Sequence, residues 1–86
     1  MDYTVYILRT SSNTFYTGQT KNLKKRLKEH KDKTSKSAKY MRSFKSFELV
    51  YRETYPTLSE ALKREIELKK LSHAEKELLI NSILNK

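Results

Sequence analysis

The sequence predicts a small α/β domain of the α+β kind, a three-stranded antiparallel sheet flanked by helices, on three observations. Tyr3 to Leu8 and Phe15 to Gly18 are short runs of β-branched and aromatic residues around Ser11-Ser12-Asn13, which is turn chemistry, so they predict a β-hairpin. Phe47 to Thr54 alternates Phe47, Leu49 and Tyr51 against Glu48, Val50 and Arg52, which predicts a third strand with at least one buried face, ended by Pro56. Helix starts complete the pattern. Lys21-Asn22 can cap a helix from Leu23 to about His30, and Thr57-Leu58-Ser59-Glu60 and Ser72-His73-Ala74-Glu75 are capping boxes for helices beginning near Leu58 and His73.

Strand parity sharpens the hairpin. Tyr6 and Tyr16 share a sheet face only if opposed residue numbers sum to an even value, which requires an odd-length loop. A three-residue loop with Asn13 in the left-handed conformation pairs Thr10 with Thr14, sets Tyr6 opposite Gly18 and leaves Tyr16 diagonal to it. Gly18 is the only glycine, and its missing side chain leaves an open floor where a phosphate or water could reach the backbone; relief of a bulge is the plainer alternative.

Length and charge bound the rest. Eighty-six residues make one domain, residues 1–86, that buries only about 60% of its unfolded surface, so a thin two-layer core is expected. Nineteen Lys and Arg against ten Asp and Glu give a net charge of +9, which points to a polyanion and first of all to nucleic acid. A membrane partner is disfavoured, because no apolar run approaches the roughly 18 residues needed to span. The absence of cysteine removes disulfides, thiolate zinc sites and thiol nucleophiles, and with no signal peptide at Met1-Asp2-Tyr3 a soluble cytoplasmic protein is expected.

Placed at ~100° per residue, Leu23, Arg26, Leu27 and His30 fall on one arc of the first helix, with Lys24, Lys25, Lys28 and Glu29 opposite. An inward Arg and His either snorkel to the rim of the core or serve chemistry. From Lys31 to Ser46 a loop carries Lys36, Lys39 and Arg42 interleaved with Tyr40, Met41 and Phe44, a composition that can grip a phosphate backbone and stack on bases or can simply be a solvated connector. In the second helix Leu58, Ala61, Leu62, Ile66 and Leu68 form an apolar arc with Glu65 in its middle and Lys69 beside it. Burying an unpaired carboxylate costs several kcal/mol, so Glu65 must meet a cation: Lys69, Arg26 or a metal. Leu78, Leu79, Ile83 and Leu84 are the packing residues expected of the last helix, with Asn81 at its margin and His73 at the surface.

Thr4-Val5-Tyr6, Tyr16-Thr17-Gly18, Arg26, His30 and a helical Glu65, in that order, resemble the GIY-YIG nuclease superfamily. The Tyr16-to-Thr20 run, Ala38-Lys39-Tyr40 and Ala61 to Glu65 are most similar to its small stand-alone branch, and the resemblance covers essentially the whole chain. Thr4 stands where the motif has glycine and Thr17 where it has isoleucine, both at non-catalytic strand positions; Asn81 is the only downstream candidate for the asparagine many relatives carry. The resemblance implies that Glu65 holds one divalent metal, Mg²⁺ or Mn²⁺, that Arg26 contacts the scissile phosphate, and that Tyr6, Tyr16 and His30 surround the attacking water. It implies a metal-dependent DNA endonuclease that leaves the phosphate 5′ on its product.

The chemistry of those residue types agrees with that cast. Arg26 offers a planar fork that suits a phosphate, and a hard cation is content with one carboxylate if water and phosphate oxygens complete its shell. For the base, geometry ranks ahead of pKa, so Tyr6 is expected to take the water's proton while Tyr16 and His30 orient water and phosphate. Lys24, Lys28, Lys36, Lys39, Tyr40 and Arg42 are the expected nucleic-acid contacts, with DNA the expected partner and RNA also compatible. The competing expectation is a nucleic-acid-binding protein of the same fold with little or no cleavage, which would have no use for a metal carboxylate at Glu65.

Overall fold

The computed structural model describes residues 2–32 and 45–84. Strands β1 (Tyr3–Thr10), β2 (Phe15–Thr20) and β3 (Phe47–Tyr55) form one antiparallel sheet in the order β2-β1-β3, joined by helices α1 (Leu23–Lys31), α2 (Leu58–Lys69) and α3 (His73–Leu84). The hairpin takes the expected register. Asn13 has φ 60°, Thr10 N–H donates to the Thr14 carbonyl at 2.9 Å, and Tyr6 lies opposite Gly18 with Leu8 opposite Tyr16. Caps also form where the sequence signals them. Asn22 Oδ1 accepts from Lys25 N–H at 3.1 Å, Thr57 Oγ1 from Glu60 N–H at 3.2 Å, and Ser72 and Glu75 bond reciprocally at 3.1 and 2.8 Å.

Helices cover both faces of the sheet, so the core has three layers where two were expected. Central strand β1 is apolar on both sides, with Val5, Tyr6, Ile7 and Leu8 all buried. Alternate residues serve opposite faces: Val5 and Ile7 pack with Tyr51, Ala61, Leu68 and Ile80, while Tyr6 and Leu8 pack with Tyr16, Leu23, Leu27 and Phe47. β3 departs from clean alternation. Ile7 pairs with Tyr51 but Leu8 with Leu49, so Val50 is an extra residue that switches the parity and leaves Leu49 at the surface.

α2 departs further from its expected arc. Ala61 and Leu68 are fully buried, but Leu58, Leu62 and Ile66 are 41, 40 and 56% exposed. A polar network pins the helix instead: Arg64 grips Glu53 of β3 through Nε–Oε1 at 2.9 Å and Nη2–Oε2 at 3.1 Å, and the Tyr51 and Tyr55 hydroxyls donate to the same carboxylate. On α3, Ile80 rather than Leu78 is buried, because the helix is turned to place Glu77 against Arg9 and His73 against the Phe15 ring, whose centroid is 4.7 Å away. His73 and Asn81 are exposed, as expected, while the side chains of Ile83 and Leu84 lie outside the described residues.

Thr17, where the motif has isoleucine, is buried on the α2 face, and its Oγ1 has no hydrogen-bond partner among the described residues. Thr17→Val removes an unsatisfied hydroxyl at nearly constant shape, so it should stabilise the fold by about 1 kcal/mol. Thermal unfolding checks this, with a Tm rise of roughly 4–8 °C expected for a domain of this size. A fall in Tm would show that the hydroxyl is satisfied in solution.

Candidate active site

Tyr6, Tyr16, Arg26 and His30 are brought together on the α1 face of the sheet. Tyr6 and Tyr16 come from adjacent strands with ring centroids 6.3 Å apart, and the His30 ring stands edge-on to Tyr16 at 5.4 Å. The Tyr6 hydroxyl lies 3.2 Å from His30 Nε2. With Arg26 bonded to the phenol and His30 held neutral, we assign the phenol as donor and Nε2 as acceptor, which puts the imidazole proton on Nδ1. Both residues are only 1% exposed. Their helix and strand supply the reason: the cap at Asn22 and the leucines at 23 and 27 turn Arg26 and His30, one turn apart, onto the tyrosines.

The expected open floor at Gly18 is absent, because the Tyr6 ring occupies it. A Cβ on Gly18 would stand 2.7 Å from Tyr6 Oη, 2.9 Å from its Cζ and 3.1 Å from Tyr16 Cε2. Gly18 has no positive φ; it is needed for space alone. The glycine thus lets the Tyr6 phenol lie down against β2 with its hydroxyl aimed at His30.

Arg26, its side chain 25% exposed, interacts with the Tyr6 and Tyr16 hydroxyls and pairs with Glu29 through Nη1–Oε1 at 3.3 Å. Glu29 belongs with this group rather than with the lysines opposite; its side chain is 18% exposed, and the i,i+3 spacing from Arg26 is the signal that could have found it. Burial pushes the Tyr6 phenol up to about 12, reinforced by Tyr16 and by the charge of Glu65, while Arg26 works in the opposite direction. Burial and then Arg26 hold His30 below the ordinary histidine value. Both groups are therefore neutral at rest, with their shared hydrogen bond intact.

Glu65 stands on α2, which packs against β1 and β2; its side chain is 15% exposed and its charge contributes to the raised Tyr6 phenol. Its ion-pair partner is Lys69 Nζ at 3.6 Å, an exposed side chain too distant for a good hydrogen bond. Among the described residues no other cation pairs with this carboxylate. Among the described residues no group of three or more His, Cys, Asp or Glu could hold a metal, so a closed protein cage is not built here. A single partly exposed carboxylate is compatible with a hard ion such as Mg²⁺ or Mn²⁺ that keeps most of its water.

Of the expected nucleic-acid contacts, Lys24 and Lys28 stand on the exposed side of α1, away from the phenols. Lys36, Lys39, Tyr40 and Arg42 lie outside the described residues. No described helix is long and apolar enough to cross a membrane.

The GIY-YIG catalytic domain family matches residues 2–78. The chain belongs to the GIY-YIG family. Its relatives include a UPF0213 protein of Syntrophus aciditrophicus, 49% identical over 88% of this chain and 86% of the relative. Another, UPF0213 protein NP_0776A of Natronomonas pharaonis, is 42% identical over 92% of this chain and 91% of the relative. Among solved structures, the solution NMR structure of UPF0213 protein BH0048 from Bacillus halodurans superposes with a TM-score of 0.60 at 38% identity, covering 94% of this chain and 84% of that one. That of EF2693 from E. faecalis gives 0.67 at 31% identity, covering 100% and 90%. This GIY-YIG chain is thus a member of a nuclease family, with the nucleic-acid substrate that membership implies in general.

Proposed function

We propose that this GIY-YIG protein is a cytoplasmic, divalent-metal-dependent DNA endonuclease that hydrolyses phosphodiester bonds through Tyr6, Tyr16, Arg26, His30 and Glu65. The observation that carries the reading is the buried hydrogen bond between Tyr6 Oη and His30 Nε2, 3.2 Å long, beneath an arginine that phosphate can claim. Arg26 exchanges Glu29 for the scissile phosphate, a better match for its planar fork. Withdrawn from the phenols, it opens the Tyr6 hydroxyl to a water. That water attacks phosphorus in line while Tyr6 Oη takes its proton and hands its own to His30 Nε2. The P–O3′ bond breaks, O3′ takes a proton from solvent, and the phosphate stays 5′ on the product.

This relay resolves the difficulty of a tyrosine base. A phenol held near 12 is a poor free base at neutral pH, but it need never exist as a free phenolate if its proton leaves as the water's arrives. His30 is the final acceptor, and its lowered pKa returns the proton to solvent readily. Tyr16 orients the water from the neighbouring strand. Glu65 would hold the metal, which when bound supplies charge neutralisation on the phosphate and stabilisation of the leaving oxygen.

Incubating the pure protein with labelled single-stranded, duplex and branched DNA in Mg²⁺, Mn²⁺ or EDTA tests the proposal. Cleavage with either metal, none in EDTA, and 5′-phosphate ends are expected. Tight DNA binding without cleavage of any substrate would overturn it in favour of a nucleic-acid-binding protein of the same fold.

A further inference from the structure

α2 is docked in a rotation that its apolar residues do not favour. Leu58, Leu62 and Ile66 recur at every fourth position and are exposed, whereas complete burial is confined to Ala61 and Leu68. On a helical projection the exposed stripe is centred roughly 100° from the buried pair, so a roll of that size would exchange an exposed aliphatic stripe for a buried one. Hydrophobic burial alone therefore pulls the helix away from its observed phase. What holds it is the Glu53 carboxylate of β3, which accepts two bonds from the Arg64 fork and one from each of the Tyr51 and Tyr55 hydroxyls. Glu53 and Arg64 side chains are 19 and 31% exposed, so this is a partly desolvated, bidentate pair and not a loose surface contact.

Arg64 and Glu65 are consecutive, and on the projection they flank the buried pair on opposite sides. Arg64 reaches β3 on one flank, and Glu65 stands on the other, from which its charge acts on the Tyr6 phenol. We propose that the Glu53–Arg64 clamp, completed by Tyr51 and Tyr55, sets the rotational phase of α2 and so positions Glu65 at the site. A roll that buries Leu62 and Ile66 carries Glu65 across to the other flank, away from Tyr6. Arg64 and Glu53 are positioning residues: neither touches the reacting atoms. Partly buried polar pairs can specify one arrangement among several that packing would accept. The catalytic consequence of the clamp rests on the nuclease reading above, but its geometric consequence does not.

The chain has no cysteine, so Leu62→Cys introduces a single thiol that reports on helix phase. In the otherwise unchanged protein that thiol faces solvent and should react freely with a maleimide. Adding Arg64→Met, which keeps the stem and removes the fork, should turn position 62 inward and slow labelling by about tenfold or more as access is lost. Glu53→Gln should act in the same direction. Arg64→Lys keeps the charge but not the fork, so it should fall between, and it serves if Arg64→Met fails to fold by near-UV circular dichroism. In cleavage assays without the added thiol, Arg64→Met should lower kcat by about 10²-fold, the usual consequence of misplacing a reacting group by an ångström or so, with KM nearly unchanged. A folded Arg64→Met protein whose introduced thiol labels as fast as before overturns the clamp, whatever happens to kcat. Slowed labelling in a protein that never cleaves DNA supports the clamp and overturns only the nuclease reading.

Discussion

Tyr6→Phe should fold, bind DNA and cleave about 10²–10⁴-fold more slowly, the usual contribution of a positioned proton-transfer group. The substitution deletes one oxygen and leaves the ring that fills the space above Gly18. It also removes the donor to His30 Nε2, and with it the link between a water and that imidazole. The sequence alone suggests that His30→Ala should cost less, since His30 there only orients the water. The observed hydrogen bond changes that expectation: if Tyr6 and His30 relay one proton, each single variant should fall by a similar factor and the double variant should be little worse, because residues acting as a unit are not additive. The pH profile gives an independent check. The relay needs neutral His30, whose pKa is lowered by burial and by Arg26, so activity should persist on the acid side to below the ordinary histidine value. If Tyr6→Phe cleaves within a few-fold of the parent while folded His30→Ala is inactive, His30 contacts the water itself and the relay is wrong.

Glu65→Ala should abolish metal-stimulated cleavage while leaving DNA affinity intact or raising it. Metal stabilisation of a phosphodiester transition state is worth several kcal/mol, so a loss of about 10³-fold or more is expected. Affinity moves the other way because the chain, already at +9, loses one more negative charge facing the phosphate backbone. Cleavage rate against Mn²⁺ concentration and DNA affinity in EDTA separate the two effects. A variant that cleaves like the parent would show that Glu65 holds no metal; its role would then be the ion pair with Lys69.

What was legible in the sequence is what short-range physics decides. A three-residue loop with an asparagine that tolerates positive φ sets the hairpin register, and with it Tyr6 opposite Gly18, through contacts local to the turn. Asn22, Thr57 and Ser72 start their helices through bonds to residues three positions on. Helical spacing likewise turns Arg26 and His30 together toward the tyrosines. Only the tertiary structure decided the rest. The strand parity after Val50 changes at a bulge set by pairing with β1, and helices close on both faces because β1 is buried on both. Gly18's space goes to a phenol rather than to a ligand, because the Tyr6 hydroxyl finds its partner on His30, 24 residues away. The apolar arc of α2 misled for the same reason. A one-dimensional hydrophobic count weighs Leu58, Leu62 and Ile66 by their own character, whereas the helix answers to Glu53, 11 residues before Arg64 and on another element. A bidentate, partly buried ion pair is visible only once folding has brought its two halves into register, and it is strong enough there to turn three aliphatic side chains to solvent.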